Sequence, residues 1–125
     1  MDQLTVVFVD PPDEEVTSVT LRSEKAEVVA FCHPCDLEAG DVIENRLTVL
    51  DADVVATYLS DWPEDEKRAL STEWIERIGH YAYRGRGRVI DQEEGLVEVQ
   101  GFVIEMGALY DGYVDFEITR LDVST

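Results

Sequence analysis

Apolar residues in this chain recur mainly at every second position, the spacing of strands with one buried face. Leu4 to Val9 reads Leu-Thr-Val-Val-Phe-Val, and Asp10-Pro11-Pro12-Asp13 ends the run. Val16, Val19 and Leu21, interleaved with Thr and Ser, predict a second strand. Glu27 to Phe31 predicts a third, with Ser23-Glu24-Lys25 as the turn between them. Gly40-Asp41 opens a mixed segment from Val42 to Leu50 that favours a strand.

The period changes in the middle of the chain. Val54, Val55, Tyr58 and Leu59 share one face at helical spacing behind Asp51 and Asp53, which predicts a short helix. A main helix is expected over about residues 62–78. Asp61 can cap it, Pro63 suits its first turn, and Glu64, Asp65 and Glu66 sit at the positive end of its dipole. Leu70, Trp74 and Ile78 would form its buried stripe, Trp62 would act as a staple, and Gly79 would follow Arg77 as the left-handed cap.

Beyond it the alternation returns in three strands: Tyr81 to Ile90, Gly95 to Glu105, and Tyr113 to Val123. In the second of these the alternation slips one step at Gly101, the mark of a bulge or sharp bend. In the third, Val114, Phe116, Ile118 and Leu121 face one way and Asp115, Glu117 and Thr119 the other.

The order strands, helix, strands predicts one β-rich α+β domain over residues 1–125. Its sheet is either a curved antiparallel sheet or a small barrel of the oligonucleotide/oligosaccharide-binding type, with the helix between the N-terminal strands and a C-terminal three-strand meander. A chain of 125 residues with 45% hydrophobic residues suits a single core. No stretch approaches the roughly 20 apolar residues that cross a bilayer, and Met1-Asp2-Gln3 lacks the basic start of a signal peptide, so a cytoplasmic protein is expected. Two cysteines cannot frame a disulfide-stapled fold.

Charge alters the functional expectation most. With 28 acidic and 10 basic residues, the net charge is −18. Such a field repels duplex nucleic acid and anionic membranes, and it draws basic proteins at rates that fall with salt. Adaptation to a high-salt cytoplasm is a competing cause, since only Lys25 and Lys67 represent lysine.

Two motifs carry possible chemistry. In Cys32-His33-Pro34-Cys35, paired cysteines could exchange disulfides or hold a metal. Asp36 to Asp41 makes a poor helix for lowering a thiol pKa, and a zinc site would need an acidic residue to complete its ligands. The bland reading makes Cys32 and Cys35 small half-buried residues of a strand-to-loop turn. In Arg84-Gly85-Arg86-Gly87-Arg88, the glycines would admit a phosphate or carboxylate close to the backbone and guanidinium groups. In an extended strand Arg84, Arg86 and Arg88 project from one face, where acidic neighbours can pair with them, while Tyr81 and Tyr83 point to the other. His80 follows the expected cap, no nucleophile elbow or phosphate loop occurs, and Glu14-Glu15, Asp51-Ala52-Asp53 and Glu93-Glu94 do not fit a calcium loop.

The sequence therefore favours a non-enzymatic binding module without a cofactor, an inhibitor, immunity-like protein or adaptor that docks on a basic protein. The alternatives are a thiol redox or metal protein using Cys32 and Cys35, and a small-ligand or single-stranded nucleic-acid binder using Arg84, Arg86 and Arg88.

Overall fold

Strand pairing begins at once. β1 (Gln3–Asp10), β2 (Thr17–Arg22) and β3 (Glu27–Cys32) form an antiparallel set. The turn between β2 and β3 is held by the Ser23 hydroxyl, which accepts from the Lys25 and Ala26 amides, 3.1 Å each. The structure, a computed structural model, describes residues 3–10, 17–58, 61–107 and 111–123. The expectations for Pro11 to Val16, including Glu14-Glu15, and for Leu59 lie outside them.

The segment from Val42 to Leu50 is two short strands, β4 (Val42–Glu44) and β5 (Leu47–Val49). Asn45, buried between them, donates to the Gly101 carbonyl at 2.8 Å and accepts from the Val103 amide at 3.0 Å. The helix expected around Val54 is instead β6 (Ala52–Ala56). Val54 turns inward and Val55 outward, so their shared helical face dissolves into alternation once the strand pairs with a neighbour.

The main helix is also shorter than its pattern. α1 (Glu64–Leu70) has no buried residue, and Pro63, not Asp61, sits at its cap without a side-chain hydrogen bond. Trp74 to Arg77, expected as helix, is β7 (Trp74–Arg77), paired with β8 (Tyr83–Asp91). The i, i+4 stripe Leu70, Trp74, Ile78 had no apolar surface waiting for it, because strands fill the core. Residues with good strand propensity completed the ladder on β8 instead. Gly79 and His80 lie in the β7–β8 turn, closed by the Ile78 amide on the Ala82 carbonyl at 2.8 Å, and cap no helix.

The slip at Gly101 is a hairpin. β9 (Leu96–Val99) and β10 (Phe102–Glu105) pair with each other across Gln100 and Gly101, whose φ values of 49° and 83° are those of a two-residue turn matched to strand twist. The last expected strand breaks at Thr119 and Arg120 into β11 (Tyr113–Ile118), beside β8 and β6, and β12 (Leu121–Val123), beside β5 and β3. The meander is thus β8–β9–β10, and β11 returns to the far side of β8.

All of these strands belong to one sheet in the order β4-β1-β2-β3-β12-β5-β10-β9-β8-β11-β6, with β7 off the path on β8. Among the described residues two pairings, β10 with β5 and β12 with β3, are parallel, so the sheet is mixed, and it stays open. Among the described residues the β-rich fold with one inserted helix is as expected, and the closed barrel is not formed. The core is a single cluster from both halves of the chain, with Leu4, Val19, Leu21, Leu47, Val97, Phe102, Ile104, Val114, Ile118 and Leu121 at most 1% exposed. Among the described residues no helix is long and apolar enough to cross a membrane.

Candidate functional site

The Arg-Gly-Arg-Gly-Arg run is the middle of β8, and its alternation separates two jobs. Tyr83, Gly85 and Gly87 face inward and are buried; Arg84, Arg86 and Arg88 face outward. A β-carbon on Gly85 would fall on the Trp74 carbonyl and within 2.9 Å of the Phe116 ring. One on Gly87 would meet Val97 Cγ1 at 2.6 Å and the Glu98 carbonyl at 2.8 Å. The glycines therefore let β7, β9 and the Phe116 ring close tightly over β8. Tyr83, on the same face, accepts the Val29 amide at 2.7 Å.

Each arginine has a carboxylate partner. Arg84 meets Glu76 at 3.3 Å, Arg88 meets Glu98 at 3.6 Å, and Arg86 meets Asp115 at 2.6 Å. Arg86 also donates to the Leu70 carbonyl at 3.2 Å, and the Thr57 hydroxyl donates to Asp115 at 2.9 Å. Arg86 thereby ties the last turn of α1, where a cation is favoured, to the sheet. The arginines stand on one face as their parity requires, occupied by acidic neighbours.

Cys32 and Cys35 lie where β3 runs into its loop. Cys32 is fully buried and Cys35 partly so, and residues 36–41, which lead from them to β4, form no helix. Burial first, then the neighbouring Cys35 thiol, pushes the Cys32 thiol up to about 12 from its ordinary 9.0. A thiol held protonated at neutral pH is a poor nucleophile. Among the described residues no group of three or more His, Cys, Asp or Glu side chains is placed to hold a metal ion.

A polar cluster that the sequence did not suggest lies near this turn. Ser18 Oγ is 2.9 Å from His80 Nε2 and 2.8 Å from the Tyr81 hydroxyl, and Tyr81 packs edge-on against both His80 and Phe31. Among the described residues no carboxylate hydrogen-bonds His80, so the orienting third group of a nucleophilic triad is missing.

The strongest candidate is the outer face of β6, β11, β8 and β7. Strand register sets Asp53, Glu117, Arg84 and Glu76 in one row across the four strands, and Val55, Asp115, Arg86 and Trp74 in the next. These rows line an open groove of about 350 Å³, bounded by Asp53, Val55, Trp74, Arg84, Asp115 and Glu117. Val55 is 57% exposed and Trp74 38%. Glu117 stands directly opposite Asp53, a like-charge pair that costs a sheet stability. Its other neighbour, Arg84, is drawn to Glu76. Among the described residues neither Asp53 nor Glu117 has a cationic partner, and with Asp51 they line an adjoining acidic hollow.

Trp74 and Val55 were not assigned to a surface by their sequence, since both fell within helical periodicity. The signal that could have placed them was the outward set Asp115, Glu117 and Thr119, which marks the exposed face of their neighbour strand. Neither sulfur lines the groove. Comparison of the chain with protein-family models, curated proteins and solved structures gives no match.

Proposed function

We propose that the protein is a non-enzymatic binding module acting in the cytoplasm, and that it docks on a basic protein through the β6–β11–β8–β7 face. One observation carries this reading: uncompensated Asp53 and Glu117 face each other beside exposed Val55 and Trp74. Packing does not require that arrangement, whereas an interface with a cationic partner would use all of it. An aromatic anchor with an apolar neighbour supplies contact energy, and carboxylates around it supply steering and register.

Acidic side chains occur on loops and strands throughout the chain, so acidity alone selects no site. The groove does, because it joins charge to exposed apolar surface. The alternatives draw less support. A buried Cys32 with a raised pKa suits packing better than thiol exchange. Trp74 stands beside Arg86 on the outer face, but Arg84, Arg86 and Arg88 are each paired with a carboxylate, so the arginines offer a single strand little free positive charge.

The test uses the whole protein as bait in a cell extract at low salt, beside a D53K/E117K double variant. A basic protein retained by the native chain, released as salt rises and lost with the variant is the expected result. Equal retention by both chains would overturn the assignment of this face.

A further inference from the structure

The face has a free strand edge whose hydrogen-bonding phase is fixed. The Thr57 amide donates to the Tyr113 carbonyl and the Thr119 amide to the Asp51 carbonyl, each at 3.0 Å. Residues 51, 53, 55 and 57 therefore aim their amides and carbonyls at β11. By alternation, Ala52, Val54 and Ala56 aim theirs away from the sheet. β6 ends the strand order, and among the described residues no strand lies on that side. Beside the outward amides, Asp51, Asp53 and Val55 are exposed on the strand's outer side.

We infer that β6 is the receiving edge for an extended segment of the basic partner. The segment adds a strand to the sheet and places Lys or Arg at alternate positions beside Asp51 and Asp53. This inference rests on the docking reading above and adds a mode to it: main-chain pairing supplies affinity, and alternate side chains supply selectivity. Strands in a ladder lie about 4.8 Å apart, so cationic side chains on the added strand fall within reach of both aspartates.

Charge also chooses between occupants. A second copy of this chain pairing edge to edge would bring the Asp51 and Asp53 carboxylates of both copies into one ladder, and like charges on an edge are a device against self-association. A segment bearing Lys or Arg meets the same edge with attraction. The edge thus rejects its own kind and accepts a cationic strand.

The probe is a peptide of alternating Lys and Thr, titrated into the whole protein at low salt by isothermal calorimetry. Two further peptides carry backbone N-methyl groups on every Thr or on every Lys. Edge pairing predicts that one methylated set loses about tenfold or more in affinity while the other binds as the parent does. The Thr set loses if the added strand is antiparallel, and the Lys set if it is parallel. On the protein side, Val54→Pro removes one outward donor at an edge position that tolerates proline, and it should weaken the parent peptide by a similar factor. Val54→Ala keeps the amide and should bind normally, with amide chemical shifts of β8 and β11 reporting an intact ladder in both variants. Equal binding by all three peptides would overturn edge pairing and leave acidic docking standing. Binding by none would overturn both.

Discussion

The two faces of the β6–β11–β8–β7 wing are built from the same strands and obey different rules. On the inner face, Val54, Phe116 and Gly85 follow one another across the register, and the site is so tight that a single β-carbon collides. On the outer face, Asp53 meets Glu117, a like-charge pair that lowers stability, and Val55 stands 57% exposed. Packing accounts for Val54, Phe116 and Gly85. It does not explain the outer row, and a feature that weakens the fold without serving the core points to use elsewhere.

The division predicts that substitutions on the inner face chiefly change stability, and that those at Asp53, Val55 and Glu117 on the outer face chiefly change binding. Phe116→Ala should have the largest effect, a loss of about 3–5 kcal/mol in chemical denaturation, because a 4% exposed ring leaves a cavity. Gly85→Ala should cost about 1–3 kcal/mol by overpacking, although it adds one methyl group. Outside the core, Arg86→Met should lower stability by about 1–2 kcal/mol through its lost bonds to Asp115 and Leu70, with resonances of α1 perturbed first. The smallest effect is the most telling. Glu117→Gln relieves the like-charge pair and should raise stability by a few tenths of a kcal/mol, roughly, while weakening attachment to a basic partner.

The thiols provide a pH test away from this wing. Cys32 has a folded-state pKa raised to about 12 above an ordinary 9.0, so the folded chain resists losing that proton. Its contribution to stability is complete below about pH 9 and is lost as pH rises toward 12, the unfolded chain ionising first. Cys35 should react with a thiol reagent in the native protein, and Cys32 only after denaturant is added. Equal rates for both would show that Cys32 is accessible.

Local pattern was readable wherever a residue's neighbours in space share its period. Leu4 to Val9, the Ser23 turn and the alternation from Val114 to Ile118 were legible for that reason. The helix over about residues 62–78 was misread because Leu70, Trp74 and Ile78 satisfy a helical stripe that only tertiary pairing could cancel: β7 was claimed by the glycine-lined side of β8. The single facing of the arginines was visible in Arg84, Arg86 and Arg88, since parity alone sets it. The groove was not, because Asp53, Trp74 and Glu117 lie far apart in sequence and meet only through the order of four strands. Acidic composition pointed to the proposed electrostatic role without saying where it would be exercised.

The most direct test of that role is a two-dimensional amide and indole NMR titration of the native chain with a lysine-rich peptide at low salt. The account predicts that the Trp74 indole and the amides of Asp53, Val55 and Glu117 shift first, and that their shifts vanish as salt is raised. Shifts of equal size at carboxylates all round the surface, with Trp74 unmoved, would contradict it.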